Sequence, residues 1–113
     1  EHARGARALV MPSRYPEPFG LVVAEASRAG LPVILSETAL LANEVESEGL
    51  GWKCNPGAQG DFAALLRHVA SLPADQIAHI SKRGASASAG LSLSPDRWVD
   101  EILNLYARAT QTP

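Results

Sequence analysis

The chain holds one cysteine, Cys54, in 113 residues. No internal disulfide is available to it, and no Cys/His cluster has the spacing of a zinc site. Basic residues are also few: ten Lys and Arg against twelve Asp and Glu leave a formal net charge of −2. A broad nucleic-acid footprint would need a basic stripe, and none is present. No apolar run approaches the ~18 residues of a membrane span. The opening EHARGARALV does not read as a signal peptide, because arginines interrupt it before an apolar core develops. A cytoplasmic setting is the expectation these absences leave, with peripheral membrane attachment open for a longer protein.

What the chain does have is apolar content, 46% of its residues, enough for one small domain. The apolar residues arrive in alternating blocks. RALVMPS (Arg7–Ser13) is a continuous apolar run closed by Pro-Ser, which predicts a strand covered on both faces. FGLVVAEASRAG (Phe19–Gly30) predicts a helix closed by a left-handed glycine cap. LPVILS (Leu31–Ser36) is a second strand, LLANEVES (Leu40–Ser47) a short helix ending near Gly49, and GWKCNP (Gly51–Pro56) a weaker third strand. DFAALLRHVASL repeats apolar residues at i, i+3, i+4 and i+7, with Asp61 as expected N-cap. A further helix from Ala74 decays into small residues, and Gly84–Pro95 reads as a linker. Ser94-Pro95 then opens a terminal helix over 94–110, with Trp98, Ile102, Leu105 and Tyr106 on one expected packing face.

Strands alternating with helices predict an α/β fold: a Rossmann-like, doubly wound parallel sheet, partial at about three strands, with C-terminal helices. Ligands of such sheets bind beyond the carboxyl ends of the strands. The segment PEPFGLVVAE lies there and carries two glutamates, Glu17 and Glu25. It leads into a helix whose first amides, near Gly20, Leu21 and Val22, lack internal partners and favour an anion. Carboxylates accept hydrogen bonds only and suit vicinal hydroxyls. Hydroxyls at both ends with phosphate between them describe a nucleotide-sugar.

The same stretch resembles the C-terminal domain of retaining glycosyltransferases of the GT-B fold, the group 1 or family 4 class. The pattern is a Pro-Ser pair ahead of E-x-F-G-x-x-x-x-E-A-x-x-x-G-x-P-V, carried here by Pro12, Ser13, Glu17, Phe19, Gly20, Glu25, Ala26, Gly30, Pro32 and Val33. The resemblance implies a role for each. Glu17 would be the catalytic glutamate beside the donor sugar. Phe19, Gly20, Leu21 and Val22 would hold sugar hydroxyls and diphosphate through their amides, and Glu25 the ribose. Ser13, Arg14 and Tyr15 line the motif loop as further candidates. Transfer would retain anomeric configuration, with a nucleotide-sugar donor, a saccharide, lipid-linked or small-molecule acceptor, and no protein-bound metal or other cofactor.

The resemblance runs along the whole chain but covers only the second half of that family's C-terminal domain. Residues 1–113 are therefore expected to be a partial domain of a longer enzyme, inactive alone, with exposed surface that promotes self-association. One departure stands out: where the family has Gly-Gly-x-Pro-Glu, this chain has Leu40, Leu41, Ala42, Asn43 and Glu44. That loop supports the rival expectation of a non-catalytic nucleotide-sugar-binding or assembly module.

Overall fold

A computed structural model describes residues 4–18, 20–86 and 91–111. Three parallel strands, β1 (Leu9–Met11), β2 (Val33–Ser36) and β3 (Gly51–Cys54), form one sheet in the order β1-β2-β3. Leu9 pairs with Val33 and Val33 with Gly51, so the three strands start level. Between them run helices α1 (Leu21–Arg28) and α2 (Ala42–Ser47). Helices α3 (Gln59–Ser71), α4 (Ala74–Ala85) and α5 (Pro95–Thr110) follow. The partial α/β sheet expected from the alternation of blocks is the fold observed.

Pleating sends alternate residues of the central strand to opposite sides. Val33 and Leu35 join Val23 of α1 and Ala42 and Val45 of α2 in one core. Ile34 joins Cys54, Val69, Phe62 and Leu65 against α3 in the other. All four residues of β2 are buried, which is why VILS is apolar up to its last position. Each fully buried Ile, Leu or Val of these cores contributes about 1.5–3 kcal/mol relative to exposure.

Both crossover helices end on glycine. The Leu31 amide reaches back to the Ala26 carbonyl and Gly30 to Ser27; Leu50 and Gly49 repeat the arrangement on Val45 and Glu46. These paired bonds satisfy carbonyls that a helix end leaves free and turn the chain directly into the next strand.

Four expectations need correction. β1 is covered on one face only: Leu9 and Met11 pack against the first core, but Val10 is exposed, because β1 is an edge strand that α3 does not reach across. The third helix starts at Gln59, with Ala58 in the cap position, so Asp61 is a first-turn carboxylate favourable to the helix dipole and not its cap. The linker begins after Ala85: Gly84 is still part of α4 and lies so close to α1 that an added Cβ would stand 2.6 Å from the Ser27 carbonyl oxygen. Residues 87–90 of that linker lie outside the described residues. Finally, the apolar face of α5 is not packed: Ser94 accepts from the Arg97 amide as a cap, yet none of the helix's residues is buried, and Trp98 and Tyr106 are both more than half exposed.

Candidate functional site

The carboxyl ends of the three strands deliver Ser13, Glu37 and Asn55 to one rim of the sheet. With Arg14, Thr38, Pro56 and Gly57 they line a cavity of about 300 Å³. Glu37, Thr38 and Asn55 were not among the sequence candidates. Their signal was available: Glu37 and Asn55 follow directly on the ends of parallel strands and Thr38 is one residue further, where ligands of such sheets sit.

Beside this rim stands Glu17. Its carboxylate Oε1 accepts a hydrogen bond of 2.9 Å from Ser13 Oγ. Its own carbonyl accepts from the Leu40 amide at 3.1 Å. Ser13 is anchored in turn, since the hydroxyl of the fully buried Ser36 donates to the Ser13 carbonyl. Ser36 ends β2, so the motif loop is stapled to the central strand. Arg14 and Tyr15, between Ser13 and Glu17, are exposed. Phe19 lies outside the described residues.

Gly20 occupies the cap position of α1 with φ +58° and ψ +34°. This is the left-handed region, which glycine enters without steric cost. The first helix amide with a backbone acceptor is that of Val23, 2.9 Å from the Gly20 carbonyl. The Leu21 and Val22 amides precede it and have no backbone acceptor among the described residues. Both side chains are exposed, leaving the helix start open to solvent.

Glu25 lies one turn further in, about 6 Å along the axis from Leu21. It is exposed and lines a separate groove with Ala6, Leu9, Val22, Ala26 and Leu31, on the β1 side of α1. The Ser13–Glu17 pair belongs to the loop ahead of α1, while Glu25 lines the groove along β1 together with Val22 of the α1 start. Arg28 does not answer Glu25 at i+3; its Nη1 donates to Ser92 Oγ at 3.4 Å.

The altered loop after β2 sits against this site. Leu41 joins the first core and crosses Gly20, with its Cδ1 3.5 Å from where a Gly20 Cβ would stand. Leu40 is exposed. Lys53 turns away to α2, bonding Asn43 Oδ1 at 3.2 Å and Glu46 at 2.8 Å. Cys54 is buried, and burial followed by the negative Glu37 pushes its thiol pKa up. It is thereby a poor nucleophile.

The family described as glycosyl transferases group 1 matches residues 1–86, and the chain belongs to it. The family is one of sugar-transferring enzymes. Among individual relatives, a glycogen synthase of Mycobacterium tuberculosis is 42% identical over 69 residues, 61% of this chain and 16% of the relative. D-inositol 3-phosphate glycosyltransferases of Nocardiopsis dassonvillei and Geodermatophilus obscurus are each 32% identical, over 97% and 98% of this chain and 25% and 23% of their own lengths. The chain thus spans a quarter or less of these relatives. No solved structure matches it. Among the described residues, no helix is long and apolar enough to cross a membrane.

Proposed function

We propose that this chain is the donor-binding part of a retaining glycosyltransferase, which moves a hexosyl group from a nucleotide-sugar to a hydroxyl acceptor. One observation carries the proposal: the Glu17 carboxylate is held by Ser13 in the loop that leads into α1, whose Leu21 and Val22 amides have no backbone acceptor among the described residues. In this reading Glu17 accepts from donor-sugar hydroxyls and opposes the positive charge that develops at the anomeric carbon. The α1 amides meet the diphosphate through backbone donors and the helix dipole. Glu25, one turn in, takes the ribose hydroxyls. The leaving diphosphate oxygen receives the acceptor proton as attack proceeds on the face it vacates, so configuration is retained. The nucleotide-sugar is a substrate, and no resident cofactor enters the scheme. The names of the relatives suggest a saccharide or a phosphorylated polyol as acceptor, and a lipid-linked saccharide fits the chemistry equally.

The reading treats residues 1–113 as part of a longer enzyme that works in the cytoplasm. The purified chain alone should transfer no sugar. Leu41 over Gly20 is the observation favouring the rival, a nucleotide-sugar-binding or assembly module. Glu17→Gln in the full-length protein separates the two. Loss of one preorganised electrostatic group at a reacting centre lowers turnover about 10²- to 10³-fold. Unchanged transfer by this variant would overturn the catalytic role. An amide NMR titration with UDP, GDP and ADP tests the donor half independently: shifts should concentrate at Gly20–Glu25 for one of the three nucleotides.

A further inference from the structure

Ser13 touches the site, yet its hydroxyl is already engaged. An ionised carboxylate can only accept, so the bond of 2.9 Å between Ser13 Oγ and Glu17 Oε1 uses the single proton the hydroxyl has to give. The carbonyl is committed as well. Its carbonyl receives the hydroxyl of Ser36, a side chain with no exposure at all at the end of the central strand. A buried hydroxyl spent on a loop carbonyl fixes that loop relative to the sheet. On its other side, the Glu17 carbonyl is tied to the Leu40 amide at 3.1 Å. The carboxylate is therefore held through its backbone and through one oxygen, leaving Oε2 as the oxygen not bonded to Ser13.

We infer that Ser13 is a positioning residue: it orients the Glu17 carboxylate toward the donor sugar and makes no contact with the donor itself. The inference rests on the proposed role of Glu17 and adds to it the group that selects its rotamer. A free glutamate side chain samples many rotamers, and ordering it costs up to about 2 kcal/mol. In this site the bond from Ser13 holds one carboxylate oxygen before any ligand arrives.

The test uses the full-length enzyme with four variants, Ser13→Ala, Ser13→Thr, Glu17→Ala and the double variant Ser13→Ala/Glu17→Ala. Readouts are kcat for sugar transfer, the inhibition constant of the product nucleoside diphosphate, and the melting temperature. Ser13→Ala keeps the carbonyl that Ser36 grips, so its melting temperature should stay near wild type. Its kcat should fall about 10- to 100-fold, the range for one bond to a charged group. The nucleoside diphosphate constant should stay within about twofold, and Ser13→Thr, which keeps the hydroxyl, should recover most of the rate. In the Glu17→Ala background the Ser13 substitution should cost nothing more, because no carboxylate remains to orient.

A nucleoside diphosphate constant that rises in step with the kcat loss would make Ser13 a ligand contact and overturn the inference. So would losses from the two sites that multiply in the double variant. If Glu17→Ala retains full activity, the proposed function fails with it. If Glu17→Ala is crippled while Ser13→Ala is fully active, only the positioning role fails.

Discussion

Gly51 is the position where a single methyl group tests the sheet most directly. It opens β3 and pairs with Val33 of the central strand. A Cβ placed there would stand 1.8 Å from the Val33 carbonyl oxygen and 2.7 Å from its carbon. The strands must separate locally by about 1.5 Å before ordinary contact is restored. That end of the sheet carries the Val33 amide bond of 3.2 Å to the Leu50 carbonyl. Losing it forfeits about 1 kcal/mol. Val33 and Leu50 are both essentially fully buried, and overpacking of such sites costs about 1–3 kcal/mol. Gly51→Ala should therefore destabilise by about 2–4 kcal/mol, a large part of the ~5–15 kcal/mol that holds a domain folded. Gly60 supplies the control. It lies in α3 with no neighbour within 4 Å of an added Cβ, so Gly60→Ala should stabilise by up to about 1 kcal/mol. Urea unfolding followed by tryptophan fluorescence reads both, because Trp52 adjoins Gly51 and packs on the second core. With a slope of about 1–3 kcal/mol per molar, the Gly51 variant should lose on the order of 1–3 M in midpoint. A midpoint within about 0.3 M of wild type would refute the Val33–Gly51 pairing and with it the register of β3.

Other substitutions and conditions probe the remaining claims. Gly20→Ala should cost only about 1 kcal/mol, from left-handed backbone alone, since the added methyl meets Leu41 at an ordinary 3.5 Å; a loss above about 3 kcal/mol in urea unfolding would mean that the loop is tighter than described. Cys54 should react with a disulfide reagent only as fast as the chain opens, and labelling at free-thiol rates in native buffer would contradict its burial. Its raised pKa also sets a pH dependence. The unfolded thiol ionises from about pH 9 while the folded one stays protonated, so the stability contribution is intact below pH 9 and falls as pH rises toward the folded value. Cys54→Ser should remove that alkaline decline, as measured by melting temperature between pH 8 and about 10.5. The isolated chain should self-associate through exposed apolar surface, including Trp98, Leu103 and Tyr106 of α5; a monodisperse monomer in sedimentation velocity would count against this.

Much of the fold was legible because its signals are local. Continuous apolar runs marked the strands, glycines marked the exits of α1 and α2, and alternation of blocks implied parallel pairing. What escaped were facts that depend on neighbours in space. RALVMPS looks like a strand buried on both sides, but whether Val10 is covered depends on how far α3 extends over the sheet. Gly84 looks like the start of a small-residue linker, yet it lies within α4, at the point where α1 comes too close for a side chain. The stripe of Trp98, Ile102, Leu105 and Tyr106 correctly implies a helix with an apolar side. Periodicity alone cannot say whether anything in the same chain packs against it.

The candidate site divides in the same way. The spacing of Glu17 and Glu25 is visible in sequence, but its meaning depends on where the helix begins. Had Glu17 been helical, the two carboxylates would stand ~80° apart on one cylinder. Gly20 stops the helix short, in a left-handed turn, so Glu17 belongs to the loop and answers to Ser13 and Leu40 instead. Glu25 answers to the face of α1 along β1. The two carboxylates therefore stand on different elements, one in the motif loop and one in the groove between α1 and β1. It is thus the left-handed glycine, more than the spacing of the two glutamates, that decides on which element each carboxylate stands.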